Sequence, residues 1–224
     1  MEMREELTWE IERIAREAGA NLVGFADVEG LAALPRAVVV AMRHSPEVLA
    51  DAEDMPNPGY ADEYAALNER LTELARKIAA RLEAAGCEVR VNQATVDTID
   101  PETLAAPFSH KMAATRAGLG WIGKSALLVT RGLGAAVRMA SVLTDAPLVV
   151  GGPIGESECG ECVICVEACP AGAIRGESWR AGMARGELLD ARRCHQFRTE
   201  AAERNGVERP RCGVCLAVCP RGSG

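Results

Sequence analysis

The arrangement of cysteines in the last third of the chain constrains the fold more than any other feature of the sequence. Eight of the nine cysteines lie there in two runs, C-x2-C-x2-C-x3-C-P and a single cysteine followed later by C-x2-C-x3-C-P. The first run is Cys159, Cys162, Cys165 and Cys169, and the second is Cys194, Cys212, Cys215 and Cys219. This spacing is typical of bacterial proteins that bind two 4Fe-4S clusters. Eight thiolates are enough for two complete clusters.

The same pattern predicts which cysteines share a cluster, because the fourth cysteine of such a run ligates the other cluster. One predicted set is Cys159, Cys162, Cys165 and Cys219, and the other is Cys169, Cys194, Cys212 and Cys215. The alternative is a pair of four-cysteine zinc sites. Structural zinc is usually held by two separated C-x2-C pairs, whereas here three cysteines stand within seven residues before the C-P pair. The spacing therefore favours iron-sulfur clusters.

Composition and charge limit the cellular compartment and the binding partners expected for this protein. The N-terminus is charged, and no apolar run reaches the roughly 18 residues needed to span a bilayer. A cytoplasmic protein without membrane contact is expected, where cysteines are metal ligands more often than disulfides. A net charge of -7 argues against general affinity for nucleic acid. Arginine is concentrated after residue 175, where it is expected to offset cluster charge or face solvent rather than bind RNA.

The residues before the cysteines show alternating helix and strand patterns. Helical spacing of apolar residues predicts a helix over residues 5–18, and short apolar runs predict strands at 22–25 and 37–42. Residues 45–59 contain three prolines and predict a loop. The longest helix has an apolar face formed by Tyr64, Leu67, Leu71, Leu74, Ile78 and Leu82. Cys87, in the strand predicted at 87–91, is expected to be buried rather than a ligand.

These patterns predict two domains. The first, residues 1–150, is an α/β domain with a sheet covered by helices. Two glycines and a proline at residues 151–153 interrupt the pattern. The second domain, residues 151–224, contains the cysteines.

A glycine-rich segment at residues 118–125 matches both G-x-G-x-x-G and G-x4-G-K-S. Phosphate-binding loops with these patterns follow a strand and open a helix, but here residues 111–117 are helix-like and residues 126–130 are strand-like. A phosphate site is therefore not expected. Two interpretations remain open: a helix stop with a tight turn, or a loop whose glycines let the backbone approach a large cofactor. Trp121 suits either one.

Several segments together resemble the epoxyqueuosine reductase family. They are residues 117–124 (AGLGWIGK), 145–148 (DAPL), 189–194 (LDARRC) and the two cysteine runs. The resemblance implies a nitroreductase-like α/β domain that holds a corrinoid, cobalamin, and a ferredoxin-like domain whose two 4Fe-4S clusters reduce it. It also assigns cofactor contacts to the glycine-rich segment, namely Gly118, Gly120, Trp121, Gly123 and Lys124.

The sequence departs from the family pattern in two ways. Leu104 stands where the family has a catalytic Asp, and a similar pair, Asp97-Thr98, lies seven residues too early. His110, next to Lys111 at a position where the family usually has Glu-Arg, is the replacement candidate for proton donor. The family also continues past its last C-P into a helical repeat domain that helps to bind tRNA, whereas this sequence ends at Gly224. A tRNA partner is therefore not expected.

Two functions of different classes follow from these observations. In the first, the clusters relay electrons to a corrinoid that reduces a small substrate, and the protein supplies orientation and a proton. In the second, the protein is a non-catalytic ferredoxin-like electron carrier that docks a partner enzyme. Loss of the family acid favours the carrier, while the complete glycine-rich segment favours the reductase.

Overall fold

The computed structural model describes residues 2–50, 58–95, 99–204, 206 and 211–222. The helices are α1 (Glu2–Glu17), α2 (Pro46–Ala50), α3 (Pro58–Ala84), α4 (His110–Arg116), α5 (Ile164–Glu167), α6 (Arg185–Leu188), α7 (Ala191–Arg204) and α8 (Val214–Ala217), followed by a 3-10 helix, Pro220–Gly222. The strands are β1 (Leu22–Asp27), β2 (Arg36–Arg43), β3 (Val89–Asn92), β4 (Trp121–Ile122), β5 (Leu128–Val129) and β6 (Val137–Thr144).

The main sheet has four antiparallel strands in the order β1-β2-β6-β3. Successive side chains of a strand point to opposite faces, and in β2 both faces are apolar. Val38, Val40 and Met42 pack with α1 and α3, while Ala37, Val39 and Ala41 pack with α4. Helices therefore cover both faces, which explains why β2 is an unbroken apolar run. The predicted mixed helix and sheet class is confirmed, with an antiparallel sheet.

The longest helix, α3, follows the predicted apolar face closely. Its core positions Leu67, Leu71, Leu74, Ile78 and Leu82 are all buried. The helix begins with Pro58, whose fixed φ suits the first helical turn. It is followed by Gly86 at φ +82, the left-handed conformation that glycine adopts most easily after a helix.

The loop predicted over residues 45–59 is partly wrong. Residues Pro46–Ala50 form the short helix α2, and α3 already begins at Pro58. Residues 51–57 lie outside the described part of the chain. Prolines favour a loop in a sequence, but Pro46 and Pro58 are the first residues of helices, where proline is well tolerated.

The chain passes from the sheet to the cysteine-rich part along the surface of β1 and α4. The amide of Gly151 donates to the carbonyl of Phe25 (2.8 Å), and the amide of Ile154 donates to that of Thr115 (2.9 Å). Ile122 and Ala126, which precede this crossing, belong to the same apolar cluster as residues of the cysteine-rich part. The two parts thus share packed surface, and the boundary at residue 150 stays a prediction. None of the described helices is both long and apolar enough to cross a membrane.

Candidate iron-sulfur centres and the adjoining cavity

Each C-x2-C-x3-C segment carries one short helix, whereas Cys194 lies apart in the longer helix α7. Cys165 lies in α5 and Cys215 in α8, and these two helices pack against each other. Beyond each helix the chain reaches the last cysteine of its run, Cys169 or Cys219, which a proline follows. The contact between the helices brings cysteines distant in sequence close together.

The first group of thiols forms around Cys165. Burial raises the pKa of its thiol to about 11, and the neighbouring thiolates of Cys159, Cys219 and Cys162 add to the increase. Cys159 and Cys219 also pack against the same apolar cluster, so Cys219 lies with the first run although it belongs to the second. The group is the first of the two predicted ligand sets.

The second group forms around Cys215, whose pKa is raised by deep burial and by the neighbouring Cys212 and Cys194. Burial also raises the pKa of Cys212, with contributions from Cys194 and Cys169. The structure thus brings Cys169 of the first run to the cysteines of the second. These four match the other predicted set, and their role as ligands stays a prediction.

The donor chemistry of both groups fits iron-sulfur clusters. The indole Nε1 of Trp121 donates to Cys159 Sγ (3.3 Å), and the amide of Ala173 donates to Cys169 Sγ (3.4 Å). Hydrogen bonds to sulfur are a normal feature of cluster sites and tune their potential. Within the described ranges, no three His, Cys, Asp or Glu side chains form a group that could hold a single metal ion. A 4Fe-4S cluster differs from a site for a single metal ion because each cysteine binds a separate iron.

The glycine-rich segment lies beneath the first cysteine group. A side chain on Gly120 would collide with the carbonyl oxygen of Val129, and a Cβ on Gly118 would come within 2.7 Å of the carbonyl oxygen of Gly152. A Cβ on Gly123 would come within 2.6 Å of Val129 Cγ2 and would lie 3.5 Å from Cys159 Sγ. These glycines are thus required for close packing inside the protein.

Trp121 and Lys124 are also buried, with 1% and 6% of their surfaces exposed. A cavity of about 620 Å³ lies instead beside the second cysteine group. None of the five residues predicted to contact the cofactor is among the described residues that line it. The segment immediately after them, residues 125–128, does line it.

This cavity lies between the α/β domain and the second cysteine group. All four cysteines of that group contribute to its wall: Cys169, Cys194, Cys212 and Cys215. Four aromatic side chains line it as well: Tyr60, Tyr64, Phe108 and Phe197. A group bound here would lie directly beside a cluster held by the second cysteine group.

His110 lines the cavity, but both of its ring nitrogens bond to the protein. Nε2 lies 2.9 Å from the carbonyl oxygen of Gln93, which can only accept, so Nε2 carries the proton. Nδ1 then accepts from the hydroxyl of Ser141 at 2.8 Å. Burial lowers the pKa of His110 to about 4, so the ring is neutral near pH 7. This geometry ties α4 to the sheet, and it does not support the predicted role of proton donor.

Leu104, at the family's acid position, also lines the cavity. Its backbone has φ +53, a conformation uncommon for a residue other than glycine. Its amide donates to the carbonyl of Asp100 (2.8 Å), and its carbonyl accepts from Arg185 Nη1 (3.0 Å). The backbone of Leu104 is therefore held by hydrogen bonds at both its amide and its carbonyl. Asp97 and Thr98 lie outside the described residues.

The cavity wall includes cationic groups that sequence reasoning missed. The guanidinium groups of Arg138 and Arg211 lie 3.9 and 4.0 Å from the ring centre of Tyr64. Lys111 Nζ donates to the carbonyl of Ala126 (2.6 Å), and burial together with the charge of Arg185 lowers its pKa to about 8. These side chains come from β6, α4 and the C-terminal segment, so no local pattern links them.

Comparisons with known proteins agree with these features. Residues 158–222 match the 4Fe-4S double cluster binding domain. The epoxyqueuosine reductase of Escherichia coli (strain K12) is 32% identical over 196 residues, which cover 83% of this chain and 48% of that protein. The epoxyqueuosine reductase of Aliivibrio fischeri is 30% identical over 183 residues, covering 74% and 43%. The chain spans about half the length of the curated relatives it matches.

Solved structures share the fold at low sequence identity. A catabolic reductive dehalogenase has a TM-score of 0.73 at 22% identity, covering 95% of this chain and 31% of that one. An epoxyqueuosine reductase in complex with a modified tRNA stem loop has a TM-score of 0.65 at 21% identity, covering 98% and 66%.

Fold and cysteine groups together define an iron-sulfur protein of mixed helix and sheet structure. Within that class, the predicted resemblance to the epoxyqueuosine reductase family is confirmed over most of the chain.

Proposed function

We propose that the protein is an iron-sulfur oxidoreductase in which two 4Fe-4S clusters pass single electrons to a corrinoid bound in the cavity. One observation carries the proposal: the four cysteines of the second group line the same cavity as residues of the α/β domain. An electron leaving the second cluster would therefore enter a bound cofactor directly. A corrinoid would supply a cobalt centre able to react with the substrate.

The cavity has the properties of a cofactor site. Its volume of about 620 Å³ lies within the usual range of small-molecule and cofactor sites, and its wall is mainly apolar. Leu104, Phe108 and Leu127 would exclude water from the reacting centre. A related fold supports the cofactor class, since one structural neighbour is described as a reductive dehalogenase that suggests a mechanism for B12-dependent dehalogenation.

The test is a titration of the cluster-loaded protein with hydroxocobalamin under anaerobic conditions. We expect binding of one cobalamin per chain, and reduction of its cobalt once the clusters are reduced. Ala105→Trp should fill part of the cavity and block binding while leaving the iron content unchanged. Ala85→Trp, at an exposed position after α3, is the matched control and should bind normally.

A second candidate function is a non-catalytic electron carrier. It is favoured by the cavity wall, which within the described ranges contains no Asp or Glu that could replace the family acid. The titration separates the two functions. If the intact, cluster-loaded protein binds no cobalamin, the reductase proposal fails and the carrier becomes the better interpretation.

The substrate in this proposal is a small molecule. The main alternative substrate is tRNA. The structural neighbour with a bound tRNA stem loop and the epoxyqueuosine reductase relatives weigh against the expectation that tRNA is not a partner. An epoxyqueuosine-modified stem loop should therefore be assayed with the reduced protein. Conversion to queuosine would show that the small-substrate part of the proposal is wrong.

A further inference from the structure

The charged side chains on the cavity wall have one sign. They are Lys111, Arg138, Arg185, Arg198 and Arg211, and no carboxylate from the described residues joins them. Buried charge without a counter-charge is costly, so a wall of this kind is stabilised by an anion. The identity of that anion depends on which cations have unused hydrogen-bond donors.

Two of the five cations are already committed to the protein. Arg138 donates to the side chain of Asn68 (2.9 Å) and to the carbonyl of Ala94 (2.9 Å). Arg185 donates to the carbonyl of Leu104 (3.0 Å). Both side chains hold loops in place, and we assign them no ligand.

The other three cations each form at most one hydrogen bond with the described residues. Lys111 has three N–H groups and bonds to one described acceptor, the carbonyl of Ala126. The Nε of Arg198 is buried and has no hydrogen-bond partner among the described residues. The guanidinium of Arg211 stacks on Tyr64 but forms no hydrogen bond or ion pair with any described residue.

Part of this charge serves the second cysteine group. Arg198 acts on the thiols of Cys194 and Cys212, where its positive charge opposes the effect of burial on their pKa. A cluster there would be an anion, and Arg198 is suitably placed to offset it. Arg211 differs, because its described contact is with an aromatic ring of the α/β domain.

The body of the ligand can be inferred from the remaining wall. Four of the eight aromatic residues in the chain line the cavity: Tyr60, Tyr64, Phe108 and Phe197. Aromatic side chains favour flat, apolar partners. Arginine and lysine donors favour carboxylate or phosphate oxygens.

We infer that the cavity binds a small organic anion with a flat apolar body, whose carboxylate or phosphate is held by Arg211 and Lys111. The identification of this anion as the substrate rests on the proposed function. A second source of the same chemistry is the phosphate in the nucleotide tail of a bound cobalamin. The experiment below separates these sources.

The test uses benzoate and its neutral analogue benzamide as probes, measured by calorimetry on the anaerobic, cluster-loaded protein. We expect benzoate to bind at least tenfold more tightly than benzamide. Arg211→Gln and Lys111→Met should each remove most of this preference while leaving benzamide binding unchanged. Arg192→Gln is the matched control, because Arg192 donates to the carbonyl of Glu102 and does not line the cavity.

Three results would overturn the inference. Equal affinities for benzoate and benzamide would show that the cavity has no anion site. A change only in the potential of the second cluster in Arg211→Gln would show that this arginine serves the cluster. If Arg211→Gln weakens binding of cobalamin but not of cobinamide, which lacks the phosphate tail, the anion is the cofactor's own. By contrast, a benzoate preference without any cobalamin binding would support the anion site and refute the proposed function.

Discussion

The cysteine runs and the glycine-rich segment are both recognisable motifs, yet they differ in how much their sequences reveal. A cysteine run carries its chemistry in side chains, so spacing alone predicts the ligands. A glycine-rich segment offers only backbone, and its role depends on what packs against it. Here that neighbour is the first cysteine group, since Trp121 donates to Cys159 Sγ and Gly123 lies beside the same cysteine. The segment therefore supports a cluster site instead of lining the cavity.

The largest expected effect comes from breaking a cysteine group. Cys219→Ser should remove the cluster of the first run, because Cys219 lies with Cys159, Cys162 and Cys165. Iron content should fall from about eight to about four atoms per chain. Iron and sulfide analysis with electron paramagnetic resonance of the remaining cluster measures this change.

Cys87→Ser is the control for that variant, since Cys87 packs against the α/β core away from both groups. It should retain both clusters. The proposed pairing is wrong if Cys219→Ser alters only the signal of the cluster held by Cys194 and Cys212.

A substitution in the glycine-rich segment should reduce the stability of the folded protein. Gly120→Ala places a methyl group against the carbonyl of Val129 and should lower the free energy of unfolding by about 2 kcal/mol or more. Gly155→Ala is the matched control, because no atom lies within 4 Å of its added Cβ. Its effect should stay within about 0.5 kcal/mol. Anaerobic urea unfolding compares the two, and equal stabilities would contradict the packing role.

His110 provides a pH-dependent contrast within the α/β domain. Its folded pKa of about 4 lies below the ordinary value of 6.5, so the unfolded chain binds more protons between these values. Its contribution to stability is complete above pH 6.5 and is lost as the pH falls towards 4, by about 3 kcal/mol in total. Unfolding measured from pH 7.5 to 5 should show a flatter slope for His110→Gln. Above pH 7 the slopes of the two proteins should coincide, and identical slopes throughout would refute this account.

The smallest expected effect lies where the two motifs meet. Trp121→Phe removes the N–H donor to Cys159 Sγ but keeps an aromatic ring. A hydrogen bond to the cluster that contributes about 1 kcal/mol favours the more negative, reduced form. Losing it should therefore lower the reduction potential of the first cluster by about 40 mV. Redox titration should find the second cluster unchanged. If only the potential of the second cluster changes, the assignment of Trp121 to the first cluster is wrong.

Much of the fold could be predicted from local sequence patterns, but the cavity could not. Strand β2 and helix α3 are read correctly because burial imposes a periodicity on each. The cavity wall joins residues from α3, α4, β6 and the C-terminal segment, and only tertiary contacts bring Tyr64 and Arg211 together. The contacts of His110 could not be predicted for the same reason, since its partners Gln93 and Ser141 are remote in sequence, and its role as proton donor stays a prediction.

The exchange of cysteines between the two runs has a consequence for biosynthesis. Cys219 follows Cys165 by 54 positions, and Cys169 precedes Cys215 by 46. At about 5–20 residues per second, a ribosome needs roughly 3 to 11 s to synthesise the first of these intervals. The second proposed set is complete only when Cys215 has been made, and the first only when Cys219 has been made, so the proposed pairing prevents early loading of the first run. Iron delivery to this protein would then be a late event, with both clusters completed within the same few residues of synthesis.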